Sequence, residues 1–254
     1  MENIFYEYEK SFDKIIEKLI TLNNPLWRGF ITVNSPIVEN PDILFIGINP
    51  GDGLFKEQGK VAFRTTQLYS ELFPFDRDDY SVENLKFRDD GQIELDYFTD
   101  GNYTDGVWYN CRCKNQYVSN MLKIISKVAE YKTGEHFIKG VKPKWYDRLG
   151  KSVMVMNINP IVTKDVADLK TLMKAINVDN WQDIILPLRI LVRDTIKPKT
   201  IVFMGVSAYC DFIRDGERKV DRIFGIPHIT VNRSYGWGST AYLESIAKNI
   251  VDNI

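Results

Sequence analysis

The sequence predicts an α/β protein, a three-layer α/β/α sandwich around a central, mainly parallel four-stranded sheet. Four short apolar runs, at 43–48, 153–158, 200–205 and 228–231, alternate with segments whose apolar residues recur every three or four positions. The runs lack the polar alternation of a strand with one solvated face, so both of their faces are expected to be covered. Strands that alternate with helices favour right-handed βαβ units, which make neighbouring strands parallel.

Five helices are expected around this sheet. The clearest lies at 5–22, where the apolar stripe consists of Phe5, Tyr8, Phe12, Ile15, Ile16, Leu19 and Ile20. The others are expected at about 116–131, 181–196, 207–214 and 240–251. The 254 residues suffice for one large domain, so we expect a single domain over 1–254 with an acidic and aromatic surface excursion at about 76–115.

The overall charge limits the partners of the protein. The 33 basic and 34 acidic side chains give a net charge of -1, so the whole molecule has no electrostatic attraction for nucleic acid or an anionic membrane. Lysine and arginine gather at 139–151, which is either an ordinary solvated surface or a positive lip beside the strand ends. The acidic N-terminus and the lack of a long apolar run predict a cytoplasmic protein without a signal peptide or a membrane span.

Cysteine and histidine are scarce. The cysteines are Cys111, Cys113 and Cys210, and the histidines are His136 and His228. An odd number of cysteines without Cys-x-x-Cys pairs argues against a disulfide framework and against a structural zinc site. We therefore expect no metal centre.

Asparagines follow the predicted strands. The first strand ends in GINPG, residues 47–51, and the second in MNINP, residues 156–160, while the last runs into Asn-Arg-Ser at 232–234. The carboxyl ends of parallel strands meet at one edge of the sheet, so these segments are expected to lie together. Ordinary interpretations remain open: Asn49 as the cap of a turn, Asn157 as a core amide bonded to loop backbone, and 232–234 as a plain loop.

The order of these motifs resembles the uracil-DNA glycosylase superfamily. GINPG, Phe63 twelve residues later, MNINP and a strand running into Asn-Arg-Ser follow that order from about residue 42 to the C-terminus. The mismatch-specific uracil/thymine glycosylases share the GINPG form, and the single-strand-selective monofunctional uracil glycosylases have the similar GMNPG. The segment KTIVFMGVSAY also resembles the strand and helix that precede the last motif of this family.

The resemblance implies catalysis by neutral side chains. Asn49 would orient the attacking water at the sugar C1′, and Asn232 would occupy the second catalytic motif. Arg233 and Ser234 would lie in the loop that meets the DNA. Cleavage of an N-glycosidic bond places positive charge at C1′ and negative charge on the departing base, so a positioned water and oriented donors serve it without a strong nucleophile.

The resemblance also implies a pocket for a base that is flipped out of the DNA. Phe63 would stack on the base, and Asn157 would form hydrogen bonds with its O4 and N3–H edge. The substrate-binding residues implied in this way are Gly47, Ile48, Pro50, Gly51, Phe63 and Asn157.

The chain departs from the family pattern at the last motif. Many members carry His-Pro-Ser there, whereas this chain has Asn232-Arg233-Ser234, which resembles the asparagine variant of the mismatch-specific branch without its proline. An alternative register would place His228 in the histidine position, although a structural role for His228 is the simpler interpretation. Branches that hold an iron–sulfur cluster use four cysteines, and this chain has three. The resemblance therefore implies an enzyme with no metal cluster and no cofactor.

The predicted function is therefore removal of uracil or a related damaged pyrimidine from single- or double-stranded DNA by a monofunctional, metal-independent and monomeric glycosylase. No lysine falls in the motifs, so neither a Schiff base nor strand cleavage is expected. The neutral charge leaves two alternatives open: a non-catalytic module that binds a nucleobase or nucleic acid, and a hydrolase of a small N-glycoside.

Overall fold

The computed structural model describes residues 7–27, 29–30, 38–48, 116–134, 152–163, 165–213, 222–232 and 239–254. The strands are β1 Gly29–Phe30, β2 Ile43–Gly47, β3 Val153–Asn157, β4 Ile161–Val162, β5 Thr200–Phe203, β6 Arg222–Ile223 and β7 Ile226–Thr230. The α-helices are α1 Asp13–Leu22, α2 Gln116–Thr133, α3 Val166–Ala175, α4 Leu186–Leu191, α5 Val206–Phe212 and α6 Thr240–Val251. Turns of π-helix at Asn180–Ile185 and Val192–Ile196 extend α4 on both sides.

The main sheet is mixed and mostly parallel, which confirms the α/β class. Its five strands lie in the order β3-β2-β5-β7-β6. The first four of these are parallel to one another, and β6 is antiparallel to β7. The prediction of a four-stranded sheet is therefore wrong by one strand. A separate antiparallel pair, β1 with β4, is also missing from the sequence prediction.

The fifth strand, β6, is too short to produce a sequence pattern, because it contains only two residues. It joins β7 through Phe224 and Gly225, whose φ angles of 56° and 78° are both positive. This is the geometry of the two-residue hairpin turn whose twist matches that of its strands. A bulky residue is uncommon in this conformation. Contacts of the Phe224 ring must therefore offset the backbone strain.

Both faces of the central strand β2 are buried. Leu44 and Ile46 belong to an apolar cluster formed with α1, α3, α4 and α5, whereas Ile43 and Phe45 belong to a second cluster formed with α2 and α6. These four side chains are at most 2% exposed. Burial of such a side chain contributes about 1.5–3 kcal/mol to folding. The continuous apolar run thus holds β2 in the interior.

The predicted helices are present with changed limits. α1 begins at Asp13 because a turn at 11–12 separates it from the helical residues 7–10. α3 is absent from the sequence prediction, although Asp165 caps it by accepting a hydrogen bond from the Asp168 N–H at 2.9 Å. No helix in the described part of the chain has the length and apolar character of a membrane span.

Arg189, in α4, is a buried cation surrounded by aromatic rings and is only 8% exposed. Its Nη1 donates a hydrogen bond to the Phe212 carbonyl oxygen at 2.9 Å. Its guanidinium carbon lies 4.8 Å from the ring centre of Phe224, 5.3 Å from that of Trp181 and 5.6 Å from that of Phe212. These contacts connect α4 and α5 to the β6–β7 turn and cover the Phe224 ring.

We predict that Arg189→Ala lowers the free energy of unfolding by about 3 kcal/mol, because it removes cation–π contacts, leaves a cavity and deprives the Phe212 carbonyl of a donor. The measurement is urea unfolding. Arg193→Ala is the matched control, because the Arg193 side chain is 52% exposed and pairs with its neighbour Asp194. The Arg193→Ala variant should have the same midpoint of urea unfolding as the wild type. Equal midpoints for the two variants would contradict the role given to Arg189.

Candidate functional site

The parallel strands end side by side at one edge of the sheet, which we term the carboxyl edge. Gly47, the last residue of β2, pairs in register with Asn157, the last residue of β3. Phe203, the last residue of β5, pairs with Ile46 on one side and with Thr230, the last residue of β7, on the other. The segments that follow β2, β3 and β7 therefore leave the sheet from the same edge, as the sequence predicts.

The strand order determines which of these segments are neighbours. β3 and β2 are adjacent, whereas β5 separates β2 from β7. With neighbouring strands about 4.8 Å apart, the ends of β3 and β7 are roughly 14 Å apart. The helices that follow β2 and β5 belong to different apolar clusters, α2 to one and α5 to the other. The strand order therefore switches direction between β2 and β5: β3 lies on one side of this position, and β7 lies on the other. Open α/β sheets bind ligands at such a switch point.

Asn157 is a buried amide beside a residue without a side chain. It is 7% exposed, and the alternation of a strand puts it on the same face as Val153 and Val155, which α2 and α6 cover. Its register partner Gly47 lies on this face too. Its amide carries one acceptor and two donors, so it can form hydrogen bonds with groups of either kind.

The loop after β3 is bonded to the end of β2. The Ile158 N–H donates to the Gly47 oxygen, and the Asn159 N–H donates to the oxygen of half-buried Ile48, both at 2.9 Å. These bonds extend the β2–β3 pairing beyond the strands. The backbone of Gly47 and Ile48 is thus fixed where the first motif begins.

Asn159, the second asparagine of MNINP, has a structural role. It is 2% exposed. Its Oδ1 accepts a hydrogen bond from the Ile161 N–H at 3.0 Å, and its Nδ2 donates to the Met173 Sδ at 3.1 Å. Asn159 thereby closes the turn after β3 and attaches it to α3. Asn157 is the asparagine of this motif that lies at the strand end.

Asn232, assigned by sequence to the second catalytic motif, is half-buried and follows β7 at the carboxyl edge. Its backbone N–H donates a hydrogen bond to the hydroxyl oxygen of Tyr242, in α6, at 2.7 Å. The other candidate residues lie outside the described residues: Asn49, Pro50, Gly51, Phe63, Arg233 and Ser234. So do the acidic and aromatic excursion at 76–115 and the basic segment at 139–151.

His228 lies within β7 and not at its end. It pairs in register with Ile201, and its ring stacks on Tyr209 with the ring centres 5.1 Å apart. It also meets the Phe203 ring edge-on at 6.0 Å. Asn232 therefore lies at the carboxyl edge, whereas His228 lies inside the strand.

The helices α2 and α6 run parallel on one face of the sheet. Lys127 Nζ lies 3.3 Å from Glu244 Oε1, and one turn further along both helices Lys248 Nζ lies 5.8 Å from the ring centre of Tyr131. A hydrogen bond to Glu130, with a further one to Glu244, raises the pKa of Lys127 and favours the charged form in this contact. Tyr242, in the first turn of α6, is bonded to Asn232 at the carboxyl edge, so both of these parallel helices begin on that side.

Asn120 is a buried polar residue that sequence reasoning missed. It is 0% exposed and lies in α2, about two helical turns or 10 Å before Lys127 along the helix axis. The parallel arrangement of α2 and α6 puts it near the carboxyl edge, on the face that also carries Asn157. The sequence does contain a sign of this buried residue. Asn120 lies four residues before Ile124 and eight before Val128, at a position where the helical pattern predicts an apolar residue.

The described residues at the carboxyl edge carry no acidic or basic side chain. This holds for 47–48, 157–160, 203–206 and 230–232. The described part of the chain also contains no group of three or more His, Cys, Asp and Glu residues that could hold a metal ion. The described polar groups at this edge are side-chain amides, backbone groups and the hydroxyls of Thr230 and Tyr242, all of which form hydrogen bonds without carrying a charge.

We predict that Asn159→Ala lowers the free energy of unfolding by about 2 kcal/mol, because the buried Ile161 N–H loses its acceptor. Chemical denaturation measures this change. Asn249→Ala is the control, since Asn249 is an exposed residue of α6. A stability equal to that of the control would show that Asn159 does not hold the turn.

The comparisons with known proteins give no relative for this chain. It matches no protein-family model, no curated protein and no solved structure. The resemblance to the glycosylase superfamily therefore stays a prediction from the sequence. A proposal for function depends on the sequence motifs and on the geometry of the carboxyl edge.

Proposed function

We propose that this protein is a monofunctional, metal-independent glycosylase that hydrolyses the N-glycosidic bond of uracil or a related damaged pyrimidine in DNA. The observation that carries the proposal is the register of β2 and β3, which pairs Gly47 with Asn157. β2 leads into GINPG and β3 into MNINP. The register thus puts the first residue of GINPG beside the first asparagine of MNINP, next to the position where the strand order changes.

Each motif has its own task in the proposed reaction. Asn49 orients the attacking water at C1′, while Asn157 forms hydrogen bonds with the edge of the base and Phe63 stacks on its face. Asn232 supports the sugar side of the reaction from the end of β7. The ends of β3 and β7 are roughly 14 Å apart, so a nucleoside that lies across the ends of β2 and β5 would meet Asn157 on one side and Asn232 on the other.

Neutral hydrogen-bonding groups match the charge that develops in this reaction. The base leaves as an anion, and donors that are already oriented stabilise it without the reorganisation that water would need. The burial of Asn157 supports this role, because a hydrogen bond is electrostatically stronger where water is excluded. Arg233, Ser234 and the basic segment at 139–151 provide the contacts to the DNA backbone.

The proposal treats residues 1–254 as one domain that acts as a cytoplasmic monomer. The helices are arranged as the outer layers of an α/β/α sandwich, with α2 and α6 on one face of the sheet. The burial of both faces of β2 supports this arrangement. The reaction requires water and no cofactor.

The charge of the protein supports a second candidate, the hydrolysis of a small N-glycoside. The net charge is -1, and the described residues of the carboxyl edge are neutral. A small substrate needs no basic groove, whereas affinity for DNA comes largely from contacts between phosphate and basic side chains. The same amides would serve either substrate.

We predict that Asn49→Ala reduces turnover at least about a hundredfold without unfolding the protein, because it removes the group that positions water. The assay is strand nicking after alkali treatment, with uracil placed in single-stranded, U:G and U:A oligonucleotides. Asn249→Ala is the control and should retain wild-type turnover, because Asn249 lines a groove with Arg222 and Pro227, at the opposite end of β7 from the carboxyl edge.

The assay also separates the candidate functions. Excision that requires Asn49 supports the glycosylase, and equal rates for Asn49→Ala and wild type would remove Asn49 from the mechanism. A folded wild type that excises nothing would overturn the proposal. Release of a free base from nucleosides would then support the small-substrate hydrolase, and binding of uracil DNA without release would support the non-catalytic module.

A further inference from the structure

A hydrogen bond joins Asn232, two residues beyond the end of the last strand, to the last helix. The backbone N–H of Asn232 donates to the hydroxyl oxygen of Tyr242 at 2.7 Å. Tyr242 lies in the first turn of α6. The bond therefore attaches the backbone of Asn232 to this helix.

The bond forms at the point where sheet pairing ends. The Val231 N–H still donates to the Phe203 oxygen of β5, at 2.8 Å. Successive N–H groups of a strand are directed to opposite sides, so the Asn232 N–H is directed away from β5. On that side, the β6 pairing found in the described part of the chain reaches β7 only at Ile226 and Pro227. Tyr242 supplies from α6 the acceptor that a neighbouring strand would otherwise provide.

The position of the Tyr242 hydroxyl is well determined by α6. Ser239 caps this helix, and Leu243, Ile246 and Ile250 are buried in the cluster shared with α2. The Tyr242 ring packs against the same cluster. The phenol oxygen thus stands at the end of a side chain whose ring is held by packing, and it can direct a backbone group more firmly than water can.

We propose that Tyr242 is a positioning residue for Asn232. It holds the backbone of Asn232 through α6 and so sets the direction in which the Asn232 side chain faces the substrate. Its effect on turnover rests on the function proposed above, whereas its hold on the Asn232 backbone does not. Because Tyr242 acts through Asn232, its loss should lower kcat more than it changes KM.

The test compares Tyr242→Phe, which removes only the hydroxyl, with wild type and with Tyr131→Phe. Tyr131 is a suitable control because it lies in α2, is 40% exposed and contacts Lys248 through its ring. For a uracil-containing single-stranded oligonucleotide, Tyr242→Phe should lower kcat about tenfold and change KM less than about twofold. By NMR, the Asn232 amide should exchange with solvent at least about tenfold faster. Tyr131→Phe should match wild type in all three measurements.

Each remaining outcome counts against the proposal in a defined way. Unchanged exchange of the Asn232 amide overturns the hold on the backbone, and faster exchange with unchanged kcat overturns the effect on turnover. Faster exchange throughout α6, with a lower melting temperature, assigns Tyr242 a structural role alone and also overturns the proposal. A wild type without excision activity overturns the proposed function, and the exchange comparison then decides on Tyr242 by itself.

Discussion

The pairing of β2 with both β3 and β5 is the constraint on which the rest of the structure depends. β2 is hydrogen-bonded on both sides, and its side chains alternate between two apolar clusters. A slip of one residue would exchange the side chains that enter each cluster, and would also shift the first asparagine motif relative to the second. The interior therefore determines where the chain emerges at the carboxyl edge, and the geometry of that edge follows from apolar packing.

The features that sequence predicts here are those with a local pattern. The four apolar runs mark the parallel strands, because burial on both faces requires continuous apolar residues. β1, β4 and β6 contain two residues each, which cannot establish a period. The common edge for β2, β3 and β7 follows from parallel pairing. The position of β5 between β2 and β7 depends instead on contacts between distant parts of the chain. The Arg189 contacts and the bond from Asn232 to Tyr242 join separate elements, so no local pattern reveals them.

The candidate site carries several neutral polar groups along one edge. Asn159 uses its amide to hold the loop after β3, and Asn157 lies at the end of that strand. On the face that carries Asn157, the parallel helices α2 and α6 contribute Asn120 and Tyr242. Buried amides are stable only when their hydrogen-bonding groups are satisfied, so such groups are retained where they fix a conformation or bind a ligand.

The contacts of Arg189 also bear on the kinetics of folding. The guanidinium touches Trp181, Phe212 and Phe224, which come from three parts of the chain. The cation gains all of its contacts only after α4, α5 and the β6–β7 turn have come together. Dehydrating it earlier would cost free energy that its aromatic and carbonyl contacts do not yet offset. Interactions that form after the transition state slow unfolding and leave the folding rate nearly unchanged. We therefore expect the aromatic enclosure of Arg189 to prolong the lifetime of the folded state more than it speeds its formation.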